Sequence, residues 1–399
     1  MKQAQVCIVG GGCVGLTLAL GLAKADISVV VIDASKNQTL PGDDYALRVS
    51  ALSLASQGLF ESLNVWPEII KQRATPYTSM DVRDQDSFGK IHFDHNDLDL
   101  PQLGHIVEND IIRYALIDEL EKQSNATLLF ETRYQQIHQT DSDVFITLES
   151  GEPVIAKLLV AADGANSAIR KQFNMPITFK DYDHHAIVAT VKTADEHNNT
   201  ARQVFLPTGP LAFLPLPDKH THSIVWSTSP EHCDTLLALD DSHFNKAVMA
   251  ALDGQCGLCE VQSERMAFPL KMRYAQQWVS GKVVLMGDAA HTIHPLAGLG
   301  MNLGLKDAAY LIELLTNEQG EFASARTLRD YERTRKLDAQ KHIAMMQGLK
   351  ELFAGANPLK KFVRGVGLSL VDNLGNVFLR IKLASTFIIT QRACTSKLT

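Results

Sequence analysis

Apolar and polar positions along the chain follow two periods. Near the start, Val6-Cys7-Ile8-Val9 is a continuous apolar run, short enough for a strand buried on both faces. Leu16, Leu18, Ala19, Leu20, Leu22 and Ala23 then follow a helical pattern. A second run, Ile27-Ser28-Val29-Val30-Val31-Ile32, reads as another strand. Leu47-Arg48-Val49-Ser50-Ala51-Leu52 predicts the start of a helix reaching about Leu63. Residues 77–105 read as strands and turns, with strands at Ser79–Arg83 and Lys90–Asp94. Residues 106–123 return to helix, with Ile111, Ile112, Ala115, Leu116 and Leu120 on one face and Arg113 on the other side of that turn. Residues 126–160 alternate as strands. The stretch 184–275 is β-rich, with runs at His185–Val191, Arg202–Leu206, Leu211–Leu216 and Ser223–Ser227, interrupted by a helix at about 241–252. A last apolar run at Val283-Val284-Leu285 leads into helices that continue to about 353.

This order predicts an α/β fold: a discontinuous Rossmann-like nucleotide-binding domain, an inserted β-rich substrate domain and C-terminal helices. The expected boundaries are 1–76, 106–183 and 276–353 for the first domain and 77–105 with 184–275 for the second. Residues 354–399 form a basic, partly helical tail. With 399 residues the chain is long enough for two or three domains.

The turn after the first strand, Gly10-Gly11-Gly12-Cys13-Val14-Gly15, is Gly-x-Gly-x-x-Gly between a strand and a helix, and Asp33 closes the second strand. In that context Gly10 allows the tight turn. Gly12 lets backbone approach a pyrophosphate, and Gly15 lets helix pack closely on strand. The helix N-terminus offers free N–H groups and a positive dipole end. Asp33 stands where a carboxylate takes both ribose hydroxyls. Dinucleotide binding is therefore expected. Arg48 enters an apolar segment as a charge and reads either as a surface ion-pair partner or as a guanidinium held against a cofactor phosphate or ribose.

Net charge of −7 disfavours a nucleic-acid partner. The glycine-broken N-terminal stretch is not read as a signal peptide, and no apolar run is long enough to span a membrane, so a cytoplasmic protein is expected. Cys256-Gly257-Leu258-Cys259 lacks two further ligands at zinc-like spacing and is read as structural. His291 and His294 stand three apart with no third ligand, so no metal is expected. His291 is expected instead to cap or orient its loop.

Two more motifs complete the pattern. Asp163-Gly164 precedes Arg170, and Gly287-Asp288-Ala289-Ala290-His291 precedes Pro295. The three motifs in this order resemble the single-component FAD-dependent aromatic hydroxylases, the para-hydroxybenzoate hydroxylase class. The chain is most similar to the ubiquinone-biosynthesis hydroxylases, and within them to the 2-polyprenylphenol hydroxylase (VisC-like) branch. The resemblance covers roughly residues 5–375. It is carried further by Leu47–Leu52, Asp86–Gly89, Leu103–Asn109, His184–Thr190, Ala201–Phe205, Leu211–Leu216, Ser223–Ser227, His291–Gly298 and Arg329–Arg333. It implies FAD as cofactor, held by Gly10, Gly12, Gly15, Asp33, Arg48, Arg113, Asp163, Gly287 and Asp288, the last on the ribityl chain. It also implies that Gly298, Gly300, Met301 and Asn302, in a loop and helix N-terminus, present N–H groups to the isoalloxazine carbonyls. Such groups stabilise negative charge on a reduced flavin.

The activity implied is ring hydroxylation of a polyprenylphenol in ubiquinone biosynthesis, through a flavin C4a-hydroperoxide. O2 is the co-substrate, and NAD(P)H or another external donor supplies electrons. Pro295, His291 and Leu299 are the candidate catalytic positions. Pro295 would offer its carbonyl near the substrate hydroxyl, and Leu299 replaces a Gln usual in the family. The last twenty-five residues also depart from the family's ending. An isoprenoid reductase or epoxidase, or a lipid-binding escort without activity, shares the glycine turn and stays open. A disulfide-reductase-type flavoenzyme lacks both of its motifs here.

Residues 356–399 carry seven basic residues and the single acid Asp372, a charge of +6 that leaves −13 on residues 1–355. Leu359, Phe362, Val363, Val366, Leu370 and Leu374 share one helical face, opposite Lys360, Lys361 and Arg364. The tail is expected to dock on an anionic membrane surface, placing the enzyme peripherally at the inner membrane, or on a multi-enzyme ubiquinone-biosynthesis complex; packing on the first domain is the alternative. Assembly into a homo-oligomer is left open.

Overall fold

The computed structural model describes residues 2–86, 89–292 and 299–353, apart from the side chains of 299, 345, 346 and 349–353. The chain begins β1 (Lys2–Val9), α1 (Cys13–Lys24), β2 (Val29–Ile32), β3 (Val49–Leu52), α2 (Leu54–Ser62) and α3 (Trp66–Gln72). It continues β4 (Thr75–Tyr77), β5 (Ser79–Asp84), β6 (Lys90–Asp94), β7 (Gly104–Glu108) and α4 (Asn109–Leu120). Next come β8 (Ala126–Leu129), β9 (Tyr134–Gln139), β10 (Val144–Leu148), β11 (Pro153–Ala161), α5 (Ala168–Gln172) and β12 (Ile177–Thr193). Then follow β13 (Thr200–Leu206), β14 (Gly209–Pro215), β15 (Thr221–Thr228), α6 (Pro230–Ala238), α7 (Asp241–Ala251), β16 (Cys259–Val261) and β17 (Met266–Ala275). The last elements are β18 (Val279–Ser280), β19 (Val283–Leu285), β20 (His291–Thr292), α8 (Leu299–Thr316) and α9 (Ala325–Phe353).

The first sheet runs β18-β19-β11-β1-β2-β8, with β10 and β9 extending from β11. Its centre is parallel: β1 pairs with both β11 and β2, β2 with β8, and β11 with β19. These strands are continuous apolar runs because helices or other elements cover both faces, as parallel sheets require. Val6, Cys7 and Ile8 on β1 and Leu16, Leu18 and Leu20 on α1 are all fully buried.

The second sheet runs β20-β17-β12-β15-β14-β13-β5-β6, with β16 on β12. It is antiparallel except where β13 meets β5. Alternate residues divide its faces. Ile187, Leu211, Phe213, Ile224 and Trp226 pack with Phe244 and Val248 of α7. Ala186 packs with Tyr182, Leu270 and Met272 against Val225 and Ile343 of α9. Cys256 and Cys259 belong to the α7-side core, and burial pushes the Cys259 thiol up to about 12, as for inert core cysteines.

Two helix predictions are corrected. Residues 49–52 form β3, which pairs antiparallel with β7, and the helix begins only after Ser53, whose hydroxyl accepts the Ser56 N–H at 3.1 Å. Residues 104–108 likewise form β7, and α4 starts at Asn109. No described helix is long and apolar enough to cross a membrane. The tail, 354–399, lies outside the described residues.

Candidate active site

The glycine turn is built by close approach on one side and open space on the other. Gly10 has φ +116°, and a Cβ there would lie 2.2 Å from the Ala162 carbonyl oxygen. A Cβ on Gly15 would lie 2.1 Å from the Gly10 carbonyl oxygen. Gly12, at the N-cap of α1, has nothing within 4 Å of its Cβ direction and makes no side-chain cap. The helix start therefore opens onto free space at Gly12, and a turn leading into a helix N-terminus is the arrangement that receives a phosphate.

Asp33, at the end of β2, accepts the Gly11 N–H through one carboxylate oxygen. Through the other it accepts the Ser35 N–H at 2.7 Å and the Ser35 hydroxyl. Arg113 reaches the same turn from α4. Its Nε donates to the Gly11 carbonyl at 2.7 Å, and its two terminal nitrogens donate to Gln38, Ser35 and Lys36. The guanidinium also lies over the Phe130 ring at 5.2 Å. Arg113, expected as a cofactor-binding residue, thus joins the glycine turn to the loop beyond Asp33.

The second part of the site is the 3-10 turn Gly287–Ala289 after β19. Asp288 is exposed in the described structure, yet many atoms crowd its carboxyl. Lost hydration there raises its carboxyl above the usual range, and His291, Arg48 and Arg273 oppose the rise. Arg48 stands 4.9 Å over the Phe268 ring, so the β17 edge of the second sheet meets this turn. Asp163 caps α5, its Oδ2 accepting the Ala168 N–H at 2.9 Å and the Ile169 N–H at 3.3 Å. Its Oδ1 is buried with no hydrogen-bond partner, a free acceptor in the wall. Arg170 is buried and donates to the Ala289 carbonyl at 2.6 Å and the Ala165 carbonyl at 2.9 Å, tying α5 to the Asp288 turn.

The third part is the start of α8. Gly300 has open space at its Cβ direction, whereas a Cβ on Gly304 would lie 2.7 Å from Val14 of α1. Met301 is half-buried against the core. The Asn302 side chain is spent on protein: Nδ2 donates to the Ala51 carbonyl at 2.7 Å, and Oδ1 accepts the Ser53 N–H at 2.9 Å and the Ser56 hydroxyl at 2.7 Å. The resemblance assigned to it a backbone N–H, not this side chain. Pro295 and Gly298 lie outside the described residues, as does the side chain of Leu299.

His291 lies inside the fold. Its ring is buried against Trp278 and bound by Nε2 to Asp307 Oδ2 at 2.6 Å, so it faces the interior and positions its neighbours. Sequence reasoning missed Asp307, Arg335 and Arg273. Asp307 had a signal: it falls between Leu303 and Leu311 on the buried face of α8, where a lone acid needs partners.

Fold and turns together define an oxidoreductase scaffold for a dinucleotide-type cofactor. The family model described as "FAD binding domain" matches residues 3–345. The chain is 34% identical over 381 residues to the 3-demethoxyubiquinol 3-hydroxylase of Escherichia coli (strain K12), covering 94% of this chain and 96% of that one. It is 32% identical over 424 residues to the mitochondrial ubiquinone biosynthesis monooxygenase COQ6 of Xenopus tropicalis, covering 93% and 90%. Its fold is that of p-nitrophenol 4-monooxygenase PnpA from Pseudomonas putida DLL-E4, at a TM-score of 0.79 with 19% identity, covering 98% and 100%. The chain belongs to the FAD-binding family and, within it, to the ubiquinone-biosynthesis hydroxylases: it is an FAD-dependent monooxygenase.

Proposed function

We propose that this enzyme hydroxylates the aromatic ring of a polyprenylphenol on the way to ubiquinone, as in the 2-polyprenylphenol hydroxylase branch, with electrons from NAD(P)H or another external donor. The observation that carries this reading is the near full-length similarity to two ubiquinone-pathway hydroxylases. When bound, the flavin supplies the oxygen-activating chemistry.

The chain's own residues hold and orient. The turn Gly10–Gly15 and the N-terminus of α1 receive the pyrophosphate, which fits the open space at Gly12. Asp33 binds ribose hydroxyls, and Asp288 accepts from the ribityl chain. The first-turn N–H groups of α8 would hold the ring carbonyls near Gly300, whose Cβ direction is open. Arg48 and Arg273, with His291, oppose the rise of the Asp288 carboxyl, and such positive charge would favour a reduced, anionic flavin. The substrate ring would lie between this turn and the strand carrying Phe268. Closing that space against water protects the reacting oxygen.

Quinone-intermediate profiling in a strain lacking this protein tests the reading. Accumulation of a polyprenylphenol supports it; an unchanged quinone profile rejects it. Phenol-stimulated NAD(P)H oxidation by the yellow holoenzyme separates hydroxylase from reductase. The +6 charge of residues 356–399 supports a docking role for the tail at an anionic membrane or in an assembly. A chain ending at Gly355 should keep FAD and its melting temperature yet lose salt-sensitive liposome binding. Loss of FAD and solubility would reject docking.

A further inference from the structure

Asp307 is fully buried in α8, yet it serves three other elements. Its Oδ2 accepts the Gly287 N–H at 3.1 Å and bonds His291 Nε2 at 2.6 Å. Its Oδ1 accepts from Arg335 Nε of α9 at 2.8 Å, and Arg335 reaches on to Asp338 at 2.9 Å. A buried carboxylate is costly to desolvate and offers little stability over an apolar replacement. What it does offer is direction, because each of its bonds fixes a backbone or ring position. Here the fixed N–H belongs to Gly287, at φ +57°, immediately before Asp288. Gly304, one turn earlier on α8, leaves a Cβ direction 3.5 Å from the Gly287 Cα, so helix and turn are in close contact.

We propose that Asp307 is the positioning residue of the flavin site: through the Gly287 N–H and His291 it locks the Asp288 turn to α8, so that the Asp288 carboxylate and the α8 N-terminus keep one relative geometry. Asp307 touches no cofactor itself and acts through Asp288. This rests on the assignment of Asp288 to the flavin given above.

The test is a double-mutant cycle on the full-length protein, read by FAD dissociation constant and flavin absorbance. Asp307→Asn preserves shape but weakens the bonds to His291 and Arg335. It should weaken FAD about tenfold and shift the flavin spectrum while the protein stays folded. In an Asp288→Ala background the same change should have almost no further effect on FAD, because its route is already gone. Additive effects, or a lowered melting temperature with unchanged FAD affinity and spectrum, would overturn the proposal and leave Asp307 a stabilising residue only. If Asp307→Asn does not fold, His291→Gln, which spares the Arg335 pair, is read in the same cycle with the same criteria. If Asp288→Ala alone leaves FAD affinity and coupling unchanged, it is the Asp288 assignment that fails, a result distinct from additivity.

Discussion

Gly12 and Gly15 lie three residues apart and respond to a side chain in opposite ways. Gly12 has ordinary extended backbone, φ −79° and ψ 175°, with open space beyond it. Valine there should leave the fold intact and place its methyls where the pyrophosphate belongs. The expected outcome for Gly12→Val is a soluble protein with unchanged secondary structure and no FAD; stoichiometric FAD absorbance in a folded variant rejects the site. At Gly15 the new Cβ would press on the Gly10 carbonyl at 2.1 Å, a contact that only backbone movement relieves. Gly15→Ala should therefore destabilise the chain itself by about 1–3 kcal/mol or more, measured by denaturant unfolding of the apoprotein. Asp288 is a third case. Lost hydration raises its carboxyl, so it gains from a donor on the ligand. Asp288→Ala should weaken FAD by roughly 1.5–3 kcal/mol, or uncouple NAD(P)H oxidation from hydroxylation, without unfolding. Calorimetric FAD titration together with peroxide release decides it, and no change in either rejects the role.

Elements whose pattern matches a single period were legible, and those at a change of period were not. β1, α1 and β2 follow from uninterrupted apolar runs and a glycine turn that only one local geometry satisfies. At Leu47–Leu52 the apolar spacing suits a helix and a strand alike; pairing with β7, a contact more than fifty residues away, decides for strand. Ser53 was the start signal for α2, and Ser229-Pro230 the start signal for α6, which the sequence reading passed over. Of the site, the three turns could be read because their glycines and acids serve backbone geometry nearby in sequence. Asn302 could be assigned only through its helix N-terminus, since its three side-chain partners lie some 250 residues away. This bridge joins α8 to β3 and α2, so Asn302→Ala should strand a buried carbonyl and N–H at once. The expected loss is roughly 2–6 kcal/mol in urea unfolding, at about 1–3 kcal/mol for each of the two unsatisfied groups. A loss below 0.5 kcal/mol would show that the two elements are held by apolar packing alone.

The whole molecule carries buried polar groups that set its response to acid. Burial pushes the His222 imidazole down to about 3, with repulsion from His197 and Arg202 adding to the effect. Burial also pushes His105 down to about 4, against a small opposing pull from Glu61. His222 lies beside Phe213 in the second sheet, and His105 packs edge-on to Trp66 at 4.8 Å on β7, so the two sites are far apart in topology. In the unfolded chain both titrate near 6.5. Below that value the unfolded state binds protons that the folded state refuses, so stability is full above about pH 6.5 and falls as pH drops. Each group contributes about 1.4 kcal/mol per pH unit between its unfolded and folded values, the two together about twice that down to pH 4. Asp307, held below the usual carboxylate range by His291 and Arg335 against its burial, has the same sign at lower pH. His105→Phe keeps the ring contact with Trp66 and removes one titration. The slope of unfolding free energy between pH 6.5 and 4 should then fall by about 1.4 kcal/mol per pH unit, with the values at pH 8 changing little. Urea titrations of the apoprotein at pH 8, 6, 5 and 4.5 measure the slope free of FAD release. An identical slope in variant and parent would mean that His105 takes up its proton in the folded state and that acid sensitivity arises elsewhere.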